Sequence, residues 1–248
     1  MNALRPEDIL HKSYMNRILI EIIDNPRLSQ YLAFKGGTCA AMLGFLDRFS
    51  VDLDFDLLDK TQVAALREEF HTTFNQFGVT VAKEYDTVLF FQVKYPNENQ
   101  SKRSTLKVSA HDIPVAANDY TVQYFKEIDR LMKSQTIETM FANKLVALTD
   151  RYAKHTTIAG RDLYDIHHYF VQGYKYKGAV IQERTGLHPK DYFASLISFV
   201  HKHITQTVIN EDLNTLLPND CFQQIRRILL PEIVHFLENE HQQQAHLL

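Results

Sequence analysis

Apolar residues recur at intervals of three and four through PEDILHKSYMNRILIEIID, which predicts an amphipathic helix from about residue 6 to 24. The run YLAFK then reads as a strand, TCAAMLGFL as a helix, and VDLDFDLL as a strand whose polar and apolar positions alternate. Helical spacing returns in TQVAALREEFHTTFNQF. Three strands are predicted next, VTVAKEYD, TVLFFQVKY and STLKVSAHDI, the last two separated by the turn-forming PNENQSK. From IETMFANKLVALTDRYAK onward the pattern is helical again, in RDLYDIHHYF, KDYFASLISFVHKHI and CFQQIRRILLPEIVHFLENEH. This change of character places a boundary within residues 113–135. The expected architecture is an α+β domain over residues 1–125 followed by a helical domain over 126–248, and a cleft between two such parts is a common seat for a ligand.

Composition narrows the class without naming a chemistry. With 248 residues, 45% hydrophobic and 23% charged, the chain has the make-up of a globular protein with a substantial core. A net charge of -3 argues against general basic character and leaves nucleic-acid binding to local patches. Cys39 and Cys221 lie far apart and lack metal-ligand spacing, which speaks against a disulfide scaffold and a structural zinc site. The N-terminal stretch mixes charges with its apolar residues, so neither a signal peptide nor a membrane span is expected, and the cytoplasm is the expected location. None of the twelve histidines falls in HExxH, and they are expected as surface or packed residues. The segment YFVQGYKYKGAVIQERTG is aromatic and basic. It suits RNA contacts, or equally a loop whose tyrosines pack inward.

Two stretches carry candidate chemistry. In KGGT, Gly36 and Gly37 sit at a strand-to-helix turn, where they permit positive φ and a close ligand approach. The first helical amides, with Thr38 capping them or adding its hydroxyl, would form a seat for phosphate; a tight packing turn reads the same way. In SVDLDFD, strand periodicity puts Asp52, Asp54 and Asp56 on one face and Val51, Leu53, Phe55 and Leu57 on the other. Like charges so placed repel unless a cation compensates them, and Mg²⁺ suits two carboxylates plus phosphate oxygens. A solvated outer face of an edge strand is the alternative.

Taken together, KGGT…RFSVDLDFDL resembles the nucleotidyltransferase superfamily of the DNA polymerase β type, and within it the AbiEii-like toxins of abortive-infection and toxin–antitoxin systems. A second block, NKLVALTDRYAKHTTIAGRDLYDIHHY, is similar to that family's helical motif. The resemblance spans about residues 30 to 170. It implies a polymerase-β-type mixed sheet followed by helices, with Gly36, Gly37 and Thr38 at the nucleotide phosphates, Arg48 and Ser50 beside the triphosphate, and Asp52 and Asp54 on the metal.

On the helical block, Lys144 and Arg151 share one helix face and could aim two cations at a triphosphate. Asp162 and Asp165 open the next helix, where acids favour the helix dipole and Arg161 could pair with Asp165. The resemblance implies a direct site role for Lys144 and Asp162. One departure stands out: the third carboxylate of such sites, expected in a Lys-x-Asp/Glu stretch, meets LKVSAHD here, with Ser109 at the nearest position. Asp112 is displaced by three residues and substitutes only if a bulge re-aims it.

The function implied is transfer of a nucleotide from an NTP to a macromolecular acceptor, a tRNA 3′ end, by a toxin with a cognate antitoxin and no membrane partner. The alternatives are the same chemistry on a small molecule or a protein hydroxyl, and a nucleotide-binding module whose missing carboxylate has ended catalysis.

Overall fold

The computed structural model describes residues 6–97, 103–111, 115–214 and 216–246. The chain divides into two compact units, Met1–Pro114 with Tyr120–Gln135, and Val115–Asp119 with Thr136–Leu248.

The first unit opens with α1 (Pro6–Asp24) and α2 (Pro26–Tyr31). Between them Asn25 accepts hydrogen bonds from the backbone amides of Arg27 and Leu28, which starts α2 with Pro26 at its first position. β1 (Leu32–Lys35), α3 (Gly36–Met42) and β2 (Asp52–Leu57) follow, so the expected α–β–α–β opening is present with one short helix added. α4 (Val63–Phe77) ends at Gly78 in the left-handed conformation. β3 (Thr80–Tyr85), β4 (Val88–Lys94), β5 (Thr105–His111), β6 (Tyr120–Phe125) and β7 (Arg130–Gln135) complete a seven-stranded mixed sheet in the order β3-β4-β5-β2-β1-β7-β6.

β2 lies at the centre of this sheet, antiparallel to β1 and parallel to β5. Its alternation therefore has a fixed outcome: Leu53 and Phe55 are fully buried with Phe34, Phe70, Phe91 and Phe125, while the three aspartates point to the opposite face. The edge-strand alternative for SVDLDFD is excluded, because β2 has a neighbour on both sides.

Strands β6 and β7 fall where the sequence pattern loses its strands, so residues 126–135, assigned there to the helical half, lie in a hairpin of the first unit. The cause is an inverted alternation. Val122, Tyr124 and Leu131 are 61%, 53% and 63% exposed, whereas Ser134 and Gln135 are buried. Polarity here does not report which side faces the core.

The second unit contains α5 (Ile137–His155), α6 (Gly160–Val171), α7 (Gly178–Thr185), α8 (Pro189–His203), α9 (Gln206–Leu213) and α10 (Asn219–His246). Side chains of Thr136, His188 and Thr205 cap α5, α8 and α9. Phe141, Leu145, Leu163, Phe193, Leu196 and Ile233 are fully buried. Of the aromatic and basic segment, Tyr176 packs edge-on to Phe141 and Phe193 and donates to Glu240 at 2.8 Å, and Tyr174 packs on Tyr169. Those tyrosines face inward.

Candidate active site

In the first unit, β1 ends at Lys35 and the chain turns into α3 through Gly36, whose φ of 81° is a left-handed value that disfavours any side chain. Contacts reinforce the requirement. A Cβ at Gly36 would lie 3.2 Å from Asp54 Oδ2, and one at Gly37 would lie 2.9 Å from Arg48 Nη2 and 3.0 Å from Ser50 Oγ. The two glycines thus bring bare backbone against a carboxylate, a guanidinium and a hydroxyl. Thr38 does not cap α3. Its hydroxyl is buried, donates to the Asp52 carbonyl and lies 3.0 Å from Ser50 Oγ, tying α3 to the start of β2. Arg48 is buried as well and donates from Nη1 to the Phe49 carbonyl at 3.0 Å.

The acidic face of β2 is matched by cations from both neighbouring strands. Lys35 Nζ lies 2.5 Å from Asp56 Oδ1, and Asp56 Oδ2 also accepts from Tyr120 Oη at 2.9 Å and Gln135 Nε2 at 2.6 Å. Asp56 is buried in this set, which accounts for it structurally. On the other side, Asp52 is in register with Lys107 and Asp54 with Ser109. Lys107 Nζ stands 3.1 Å from Asp54 Oδ1 and 4.0 Å from Asp52 Oδ2, and Ser109 donates to Asp54 Oδ1 at 2.6 Å. Burial pushes the Asp54 carboxyl up, but Lys107 and the Ser109 hydrogen bond outweigh it and hold Asp54 below the ordinary carboxylate value.

In the second unit, Lys144 of α5 reaches two buried acids of α6: its Nζ is 3.0 Å from Asp162 Oδ1 and 3.0 Å from Asp165 Oδ2. Arg151, seven residues further along the same face of α5, pairs with Asp162 Oδ2 at 3.1 Å. Two cations and two carboxylates thus balance. Burial raises the Asp162 carboxyl, and Lys144 with Arg151 draws it below its ordinary value.

A family model described as nucleotidyl transferase AbiEii toxin, type IV toxin–antitoxin system, matches residues 17–232. The chain belongs to that family. It is accordingly classed as a nucleotidyltransferase of toxin–antitoxin and phage-defence systems. Two crystal structures from Helicobacter pylori share the fold. One, assigned provisionally as a nucleotidyltransferase, has a TM-score of 0.62 at 22% identity over 99% of both chains. The other, JHP933, has a TM-score of 0.59 at 22% identity over 98% of this chain and 97% of its own. None of the curated proteins matches the chain.

In this AbiEii-family chain the seat expected for a third carboxylate carries a hydroxyl donor, because Ser109 stands directly beside Asp54. Asp112 lies outside the described residues. No group of three or more His, Cys, Asp or Glu suited to a metal occurs among the described residues. Motif reading brings out Gly36, Gly37, Arg48, Ser50, Asp52 and Asp54 together, and Lys144, Arg151 and Asp162 together. It misses Lys107. The available signal was parity, since Lys107 and Ser109 alternate along β5 as Asp52 and Asp54 do along β2.

Two measurements test these geometries. Lys144→Met leaves Asp162 and Asp165 buried with one cation fewer, and such an uncompensated charge costs about 3–5 kcal/mol. Chemical denaturation should show that loss, and a change under about 0.5 kcal/mol, the range of ordinary surface substitutions, would contradict the pairing. Because the folded Asp162 value lies below its ordinary 3.8, its contribution is present above that pH and lost as pH falls through the folded value. Melting temperature should therefore decline more shallowly below pH 4 in Asp162→Asn than in the parent. Parallel acid limbs would show that Asp162 carries none of the pH dependence.

Proposed function

We propose that this chain is a divalent-cation-dependent nucleotidyltransferase that moves a nucleoside monophosphate from an NTP to a hydroxyl of a macromolecular acceptor. A tRNA 3′ end is the acceptor that the family resemblance implies, and a cognate antitoxin is the implied partner. The observation that carries the reading is the approach of bare Gly36–Gly37 backbone to Asp54, Arg48 and Ser50. Positive φ and these contacts already require glycine here, and the bare backbone that results, set beside a guanidinium and a hydroxyl, is one that a phosphate can approach. The cytoplasm is the proposed site of action, as the family resemblance implies; no helix among the described residues is long and apolar enough to cross a membrane.

The residues present fit Mg²⁺. Asp52 and Asp54 offer hard oxygens from one strand face, and this ion commonly takes one or two carboxylates and fills its remaining positions with phosphate and water. Bound there, it would act as a Lewis acid on the phosphate oxygens. The chain's own groups do the rest. Gly36 and Gly37 admit the phosphates to the backbone, Arg48 offsets their negative charge, and Ser50 stands where its hydroxyl can donate to them. Thr38 fixes the relation of turn to strand through the Asp52 carbonyl. In the transfer, the acceptor hydroxyl oxygen bonds to the α-phosphorus as its proton passes to water, the bond to the bridging oxygen of the β-phosphate breaks, and pyrophosphate leaves with that electron pair. Lys144, Arg151 and Asp162 take part in this proposal as the family's helical motif, with Asp162 and Asp165 holding the Lys144 ammonium in place. The hydroxyl at Ser109, where a carboxylate is expected, favours as a second reading a nucleotide-binding module without turnover.

Incubating the protein with each of the four NTPs labelled at the α-phosphate, in the presence of total tRNA, protein and small-molecule extracts, separates these readings. Label should enter tRNA and fall at least about 100-fold in Asp52→Asn, the scale of losing one electrostatic group from a reaction centre. Label confined to protein or small molecules would replace the acceptor, and nucleotide binding with no labelled product would establish the binding module instead. In cells, expression of the parent should arrest growth, and Ser50→Ala, Asp52→Ala or Lys144→Ala should each relieve it. Undiminished arrest by all three at equal soluble abundance would move the site elsewhere.

A further inference from the structure

The ammonium of Lys107 stands between the two carboxylates that the proposed function gives to the metal, 3.1 Å from Asp54 and 4.0 Å from Asp52. A Mg²⁺ ion sits about 2.0–2.1 Å from its ligand oxygens, so an ion shared by Asp52 and Asp54 would lie against that ammonium. The two cations exclude each other at this range, since like charges a few ångströms apart repel strongly in a partly desolvated site. Ser109 adds to the competition. It donates to Asp54 Oδ1, the same oxygen that Lys107 holds, while Oδ2 faces the Gly36 backbone.

We propose that Lys107 is an internal counter-ion that occupies the metal position in the nucleotide-free protein, so that a divalent cation binds firmly only when it arrives with a triphosphate. This rests on the assignment of Asp52 and Asp54 as metal ligands. The structure supplies the three conditions for such a device. The competing charge is present, it comes from the in-register strand and not from a distant loop, and its side chain keeps 36% exposure, which leaves it room to swing outward. The charge arithmetic points the same way. Lys35 is engaged with Asp56, so Asp52 and Asp54 share Lys107, and with Ser109 in the third seat the site keeps too little negative charge to draw a bare divalent ion. An NTP brings its own negative phosphates, which offer the displaced ammonium a new partner and the ion its remaining ligands. Metal loading and nucleotide loading thereby become one event, which keeps the site closed to free cations.

Mn²⁺ binding without nucleotide, followed by electron paramagnetic resonance of the free ion, tests the device without reference to turnover. Four proteins are compared: the parent, Lys107→Met, Lys107→Arg, and the double variant Asp52→Asn with Asp54→Asn. Lys107→Met should bind Mn²⁺ on the order of tenfold more tightly than the parent, the scale of removing one adjacent like charge. Lys107→Arg, which keeps the charge, should stay near the parent. Unchanged affinity in Lys107→Met, with binding that the double variant abolishes, overturns the counter-ion and leaves the metal site standing. Equal binding by Lys107→Met and the double variant overturns the metal site itself. A second readout needs no substitution: acylation of lysines in the parent, read by mass spectrometry, should rise several-fold at Lys107 on saturation with Mn²⁺ and stay constant at the exposed Lys202. Equal Lys107 acylation with and without Mn²⁺ would show that the ammonium does not move, and would overturn the proposal even if Lys107→Met failed to fold.

Discussion

Three carboxylates on one face of a central strand are the constraint around which the first unit is arranged. β2 cannot place Leu53 and Phe55 in the core without also turning Asp52, Asp54 and Asp56 together to the opposite side. Left alone, that face would repel itself and push its carboxyls toward protonation. The sheet answers from both flanks. Lys35 from β1, with Tyr120 and Gln135, neutralises Asp56 and removes it from chemistry. Lys107 and Ser109 from β5 hold Asp54 ionised while leaving it and Asp52 partly exposed. One strand pattern thus divides into a structural acid and two available ones, and the division is made by the neighbours.

The glycine turn depends on the same strand. Gly36 can sit against Asp54 and Gly37 against Arg48 and Ser50 because Thr38 ties the start of α3 to the Asp52 carbonyl. The helical unit solves a related problem differently. Asp162 and Asp165 are buried completely, and Lys144 and Arg151 satisfy them from one helix face, so this network is balanced within itself. Its acids are spent on its own cations, in contrast to Asp52 and Asp54, which keep exposure for a further ligand.

Much of this was legible in the sequence, for physical reasons that differ from element to element. The acidic strand, the Gly-Gly turn and the long helices follow from local periodicity and local backbone demands, which a single stretch of sequence carries. What periodicity could not carry was pairing. The β6–β7 hairpin escaped because Val122, Tyr124 and Leu131 face outward, and the short helices α2, α7 and α9 span too few turns to display a face. Thr38, expected either to cap the helix amides or to add its hydroxyl to the phosphate seat, is held by a tertiary hydrogen bond across 14 residues. Lys107 escaped for the same reason: its relation to Asp52 and Asp54 exists only through the parallel pairing of β2 with β5, two strands separated by two others in sequence.

The central claim is that the exposed part of the β2 acidic face seats a nucleotide through a divalent cation. Calorimetric titration with non-hydrolysable NTP analogues, with and without Mg²⁺, in the parent and in the Asp52→Asn, Asp54→Asn double variant, addresses it most directly. Binding should require Mg²⁺ in the parent and be abolished in the double variant, with the fold of that variant unchanged by circular dichroism. Equal affinity in the two proteins, or affinity indifferent to Mg²⁺, would contradict it.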